Sequence, residues 1–303
     1  MNNPKIILED VYNHGKSKIF LISMLVVQQM LGALTYPIAK YGLSIIEPFT
    51  FAFYRYVLSS IVLLTIVRLR NRKPPIERRD AWRIFGLGVL IIPFNQTTYL
   101  YGQKLTGAGH GALLFSTVPI WIFIGGLIYL KEKFVLKRAL GVVSGLAGVI
   151  IIMAGGAIEL GTQYLIGDLI ILVAVLAWAA YTLIGRPLVI KYGAFRVTAY
   201  ALASGSALYF PFGLYRAVIF DYSSSTVGAW LSVVYVALGI SVAAYVLWYW
   251  LLKYMEATRI AVFHNIQPVI AAAVAFIFLG ESVGLSFILG GIVVLIGVLV
   301  TER

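Results

Sequence analysis

Ten long apolar runs separated by short polar breaks set the pattern of this 303-residue chain. They lie at approximately Ile19–Ala39, Phe49–Val67, Ile84–Gly102, Gly107–Leu130, Leu136–Ala154, Leu169–Ile190, Val197–Tyr215, Ala229–Leu252, Ala257–Leu279 and Val283–Val300. Each is long enough to cross about 30 Å of hydrocarbon as an α-helix, which takes roughly 17 to 25 residues. The pattern predicts an all-α integral membrane protein of ten transmembrane helices, with no break large enough to fold as a separate soluble domain. The first run follows Lys16 and Lys18, as the core of a signal peptide would, but its length and the nine runs behind it favour a retained signal anchor.

The pattern is written twice. Thr117 to Gly148 and Ile266 to Gly297 align at a constant offset of 149 residues, which places Pro119 on Pro268, Ile128 on Ile277, Glu132 on Glu281, Leu140 on Leu289, Gly141 on Gly290 and Gly148 on Gly297. Proline, glutamate and glycine held in register over two helices mark an internal duplication. Lys40-Tyr41-Gly42 and Lys191-Tyr192-Gly193 repeat in the same sense. The chain divides into a tail at 1–18, a first repeat at 19–155 and a second at 166–301.

Charge gives the orientation. Twenty of the 24 Lys and Arg residues fall on one side of the alternating spans, only Lys40, Lys104 and Arg216 fall on the other, and Arg55 lies inside a span. That bias puts both termini in the cytoplasm. Five spans per repeat is an odd number, so the second copy enters the membrane upside down, giving inverted-topology repeats. The formal charge of +12 does not signify nucleic acid, because the basic residues sit between apolar runs. Only 12% of residues are charged, against about 25% in a soluble domain. Cysteine is absent, which removes disulfides and thiolate metal sites.

Catalytic signatures are missing: there is no HExxH, GxSxG or Walker sequence and no carboxylate pair within a span. Neither an enzyme nor a cofactor or metal site is expected. Polar and aromatic residues inside the spans carry the candidate chemistry instead, since side chains of this kind are tolerated at depth only where they meet protein or water. In the first span Gln28, Gly32 and Thr35 share a helical face, matched in the sixth by Trp178, Tyr181 or Thr182, and Gly185. The third span carries Pro93 at its middle, followed by Asn95, Gln96 and Tyr99; at the repeat offset Gln96 and Tyr99 fall on Tyr245 and Trp248 of the eighth. In the fourth, Phe115 and Ser116 precede Pro119, and the same places in the ninth hold His264 and Asn265, followed by Gln267 and Pro268. The three prolines are candidate kinks or gates. Arg55 either clamps a substrate carboxylate or snorkels to the outer interface. Glycines of the fifth and tenth spans suit close packing first and a homodimer contact second.

These residues resemble the EamA domain of the drug/metabolite transporter superfamily. Ala257, Ala261, Pro268, Leu279-Gly280-Glu281, Gly290 and Gly297 carry the resemblance in one copy. Ala108, Ala112, Pro119, Leu130, Glu132, Gly141 and Gly148 carry it in the other, departing at Lys131 where the family usually has Gly. The resemblance implies ten helices around a cavity lined by the first, third, fourth, sixth, eighth and ninth spans, in a multi-pass protein of the bacterial inner (plasma) membrane. It also implies a permease or exporter of amino acids and other small metabolites working by alternating access. A nucleotide-sugar or sugar-phosphate carrier ranks below this reading, because only Arg55 could meet a phosphate at depth. A membrane enzyme and a channel rank lower still.

Overall fold

The computed structural model describes residues 17–70, 75–106, 108–154, 164–267, 269–270 and 285–302. Among them every regular element is helical. Helices begin where the chain passes from polar to apolar. Ser17 Oγ accepts the Phe20 amide at 3.1 Å to open α1, Lys18–Leu43. Glu47 Oε2 accepts the Phe49 and Thr50 amides at 3.0 and 2.9 Å, with Pro48 in the first turn, to open α2, Pro48–Leu69.

The third span is α3, Arg78–Val89, then a wide-turned π segment at Leu90–Thr97 that contains Pro93, then α4, Thr98–Leu105. The fourth is α5, Ala108–Ser116, and α6, Val118–Ile128, broken at Thr117 with Pro119 in the first turn of α6. The fifth is α7, Leu136–Ala154. α8, Leu165–Tyr192, turns into α9, Ala194–Ile219, through Gly193, whose φ of 87° lies in the left-handed region that glycine adopts without strain. The eighth span is α10, Val227–Tyr235, a second π segment at Val236–Ala244, and α11, Tyr245–Leu251. α12, Ala257–Val262, tightens into a 3₁₀ turn at Phe263–Asn265. α13, Leu285–Glu302, ends the described chain. Pro268, Glu281 and Gly107 lie outside the described residues.

Four of the described helical stretches, α1, α2, α8 and Val227–Leu251, are continuous, long and apolar enough to cross a membrane. The third and fourth spans are interrupted where their prolines sit. Small residues, not large hydrophobic ones, set the closest helix crossings, because lipid tails leave no hydrophobic drive between helices. A Cβ on Gly148 would stand 2.6 Å from the Gly290 carbonyl oxygen, and one on Gly290 would stand 2.5 Å from that of Gly148. Gly141 and Gly297 oppose each other in the same way at 2.6 and 2.8 Å, so α7 and α13 touch backbone to backbone within one chain. This contact uses the glycines of the fifth and tenth spans inside the protomer, and Val143, Ile150, Ile292 and Leu299 face outward.

Gly148→Val should force α7 and α13 apart and lower the thermal midpoint in detergent by the equivalent of about 1–3 kcal/mol of overpacking. Val143→Leu, on the exposed face, should leave the midpoint unchanged.

Candidate functional site

The two π segments overlap at the repeat offset, positions 90–95 falling on 239–244. Each inserts an extra residue per turn, which frees carbonyls and re-aims the side chains beyond it, and such bulges are frequent at functional sites. The duplication is also visible in ring contacts. Tyr99 meets Phe115 edge-on at 4.9 Å, and the equivalent Trp248 meets His264 edge-on at 6.3 Å.

Trp248 belongs to a larger aromatic cluster. Trp178 of α8 stands 5.7 Å from Tyr181, 5.3 Å from Tyr245 and 5.7 Å from Trp248, ring centroid to ring centroid. Trp248 is fully buried and donates Nε1–H to Thr182 Oγ1 at 3.2 Å. Tyr181 stacks on Tyr249 at 4.7 Å, and the Tyr249 hydroxyl donates to the Tyr181 carbonyl. Trp178 Nε1 and the Tyr181 hydroxyl are buried with no hydrogen-bond partner among the described residues, an arrangement that natural cores avoid unless something else supplies the bond.

One end of the cluster is polar and cationic. Arg55 of α2 donates from Nε to Ser241 Oγ at 2.8 Å, from one terminal nitrogen to Gln96 Oε1 at 3.0 Å and from the other to the Tyr245 hydroxyl at 3.4 Å. Gln96 in turn donates to Asn95 Oδ1, and the fully buried Asn95 donates Nδ2–H to the Ala174 carbonyl at 2.7 Å. Asn95 therefore braces the bulge of the third span against α8, and Gln96 presents its oxygen to Arg55. At the other end, Gln267 Nε2 donates to Gln29 Oε1 at 2.8 Å and lies 3.4 Å from His264 Nδ1.

The sequence candidates separate in space. Trp178, Tyr181, Tyr245, Trp248 and His264 form one set of ring contacts, joined through Tyr245 to Arg55 and Gln96. Asn265 points its amide at Gly145 of α7, where a Cβ would stand 2.7 Å from Nδ2. Ser116 Oγ is bonded to the Leu113 carbonyl of its own helix. Tyr99 pairs with Phe115 and accepts from Gln103. Gln28 is buried with Oε1 unbonded among the described residues, and its neighbour Gln29 makes the cross-span bond. Ser241 and Gln29 join the site without a strong sequence signal beyond being polar in an apolar run, whereas Thr182, the alternative to Tyr181 on the face of the sixth span, accepts from Trp248.

A buried ion pair joins several helix ends at the exit of α6. Glu132 follows Lys131, whose φ of 55° makes a tight turn at the position where the second copy has Gly280. That turn sends the carboxylate inward: Oε1 accepts from Arg186 at 2.7 Å and from the Ala257 amide at 2.9 Å, and Oε2 accepts from Thr258 at 2.9 Å. Both side chains are 5% exposed. Arg186 also donates to the carbonyls of Leu252 and Met255. One pair thus ties the exit of α6, the end of α8, the end of α11 and the start of α12. Arg138 and Glu256 form a second ion pair beside it, with burial pushing the Glu256 carboxyl up against the opposing pull of Arg138.

Further out on the same face, Lys191 bonds Glu77 and Asp80 at 2.7 Å each and the Tyr192 hydroxyl donates to Asp80 at 2.8 Å. Burial pushes the Asp80 carboxyl up, but the bonds from Lys191 and Tyr192 and the charges of Lys191 and Arg83 outweigh it and hold it below the ordinary range. The bonds to Asp80 and Glu77 raise Lys191. At the opposite rim Glu47 faces Arg216 at 3.1 Å and Lys104 at 3.8 Å, and His110 meets Asp168 at 2.9 Å.

Comparison with known proteins finds the model of the EamA-like transporter family matching residues 19–154 and again 165–303. An uncharacterized transporter of Archaeoglobus fulgidus is 30% identical over 288 residues, covering 92% of this chain and 96% of its own. The uncharacterized transporter YyaM of Bacillus subtilis is 28% identical, covering 88% of each chain. A protein of Streptantibioticus cattleyicolor described as a probable terminal-alkyne amino-acid exporter is 25% identical, covering 77% of this chain and 76% of its own. A crystal structure at 18% identity superposes with a TM-score of 0.79 over 92% of this chain and 98% of that one, which establishes the shared fold.

Glu132→Gln should leave Arg186 buried without a counter-charge and destabilise the detergent-solubilised protein by about 3–5 kcal/mol, read as a drop in thermal midpoint larger than that of Glu77→Gln at the exposed rim. Asp80 has a folded pKa below its unfolded value, so its contribution is present above about pH 4 and is lost as pH falls through the lowered value. Tryptophan fluorescence from pH 7 to pH 3 should show a shallower acid loss in Asp80→Asn, which starts from lower stability at pH 7.

Proposed function

As a member of the EamA-like transporter family by the match of both its halves, this protein is a multi-pass membrane transporter, and we propose that it carries small amphipathic metabolites, amino acids with aromatic side chains among them, by alternating access. The observation that carries this reading is the aromatic cluster of Trp178, Tyr181, Tyr245 and Trp248, all from the second copy, which meets Arg55 and Gln96 of the first copy through Tyr245 and has His264 and Gln267 beside Trp248. Flat rings with a few amides suit a solute that has one apolar and one polar end. Unbonded donors on Trp178 and Tyr181 add places where a solute's polar atoms can be received.

Movement follows from the breaks in the helices. The two π segments and the interruption at Thr117, next to Pro119, weaken the spans that border the cluster, so each copy can rock against its partner. The network of Glu132, Arg186, Arg138 and Glu256 is the inner gate, and it parts when the site opens to the cytoplasm. Amino acids as substrates are supported by the relative described as an amino-acid exporter, and outward transport across a bacterial plasma membrane follows from the same analogy. The dense positive charge of the cytoplasmic face agrees with that placement.

Purified protein in liposomes should show saturable uptake of a labelled aromatic amino acid. Trp248→Phe should weaken apparent affinity about 2- to 10-fold, the scale of one aromatic pair, and Trp248→Ala more, with both variants eluting as folded protein in gel filtration. Ion conductance or covalent turnover in place of saturable flux would overturn the reading.

A further inference from the structure

We propose that Arg55 is the anion site of the carrier, an assignment that rests on the solute-carrier reading above, and that it selects solutes bearing a carboxylate and an apolar or aromatic body, whether or not they carry an amino group. Arg55 stands about 5 Å from the midpoint of α2 at 1.5 Å per residue. All three of its hydrogen bonds go to neutral oxygens, those of Ser241, Gln96 and Tyr245, and its guanidinium lies 5.3 Å from the Tyr56 ring. Three bonds engage three of the five N–H donors of a guanidinium.

No described carboxylate neutralises it. At the outer rim Glu47 takes Arg216 and Lys104, and Asp168 takes His110. At the inner rim Asp80 takes Lys191, Glu132 takes Arg186 and Glu256 takes Arg138. A full cation at this depth without a counter-ion is costly, and residues of this kind mark ligand pathways. A solute carboxylate supplies the missing charge, and the planar fork of an arginine receives it through two parallel bonds, which a lysine cannot do.

The position relative to the duplication sharpens the assignment. Gln96 and Tyr245 are equivalent residues of the inverted copies, 149 positions apart, and the two ends of one guanidinium hold them. Arg55 therefore sits where the two copies meet, and an anion on it touches both halves in either orientation of the carrier. From there the Tyr245 ring leads to Trp178 at 5.3 Å and on to Trp248 at 5.7 Å, a wall for an apolar body. Nothing acidic among the described residues faces this path to receive an ammonium group, and the fixed positive charge repels amines.

The test uses the full chain with three probes of one shape: phenylalanine, 3-phenylpropionate and phenethylamine. Tryptophan fluorescence titration of the detergent-solubilised protein measures binding, and competition against labelled phenylalanine in liposomes measures transport. Phenylpropionate should bind and compete at least as well as phenylalanine, and phenethylamine should do neither. Arg55→Gln should weaken both acids about tenfold to a hundredfold, the scale of one lost charged hydrogen-bonded contact, and Arg55→Lys should fall between. Phenethylamine binding as well as phenylpropionate, or acid affinity unchanged in Arg55→Gln and Arg55→Lys, would overturn the anion site. If neither variant folds, the wild-type ranking of the three probes decides the matter alone. Acid-selective binding without flux would instead count against the transport reading and leave the anion site standing.

Discussion

Hydrocarbon does not solvate charge, and the interior of this protein is arranged around that constraint. Glu132 and Arg186 are both buried, and they survive because each fills the other's charge while the remaining donors and acceptors go to Ala257, Thr258, Leu252 and Met255. A buried pair of this sort contributes little net stability over an apolar replacement but specifies geometry: it permits only one arrangement of four helix ends. Arg55 obeys the same constraint in the opposite way, holding neutral groups and lacking a fixed counter-ion, which turns a structural cost into affinity for a mobile anion.

The two copies share a scaffold and differ in how they close. Tyr192, in the second Lys-Tyr-Gly motif, reaches the start of the third span, where it accepts from the Glu77 amide and donates to Asp80, beside Lys191. Its counterpart Tyr41 reaches the start of the eighth span on the other face, where its hydroxyl lies 3.3 Å from the Thr226 hydroxyl. Thr226 occupies the place of Glu77 at the repeat offset. The motif is thus held by an ionic clasp in the second copy and by a neutral contact in the first.

Much of this was legible in the residues. The ten runs, their orientation and their duplication derive from what a bilayer demands of length, composition and loop charge. The identity of the ring cluster was legible in part, because aromatic residues in register with the repeat stood out against an aliphatic background. Arg186 was not: counted along the chain it belongs with the loop cations, and only the fold turns it inward to 4% exposure. Gln29, one residue from the amide that the helical face suggested, makes the bond to Gln267. Asn265 and His264 are adjacent, yet one faces Gly145 and the other Trp248.

The physical reason is the same in each case. By itself the sequence determined everything that depends on transfer to lipid, since that depends on which residues are present and how many stand in a row. Which side of a helix meets which neighbour depends on rotation about its axis, and each π segment adds a residue to a turn and rotates the rest of its span by about 100° relative to a regular helix. From the start of each π segment, at residues 90 and 236, a regular wheel no longer indicates the facing partner, so the meeting of Arg55 with Gln96 and Tyr245 was decided only when the helices packed.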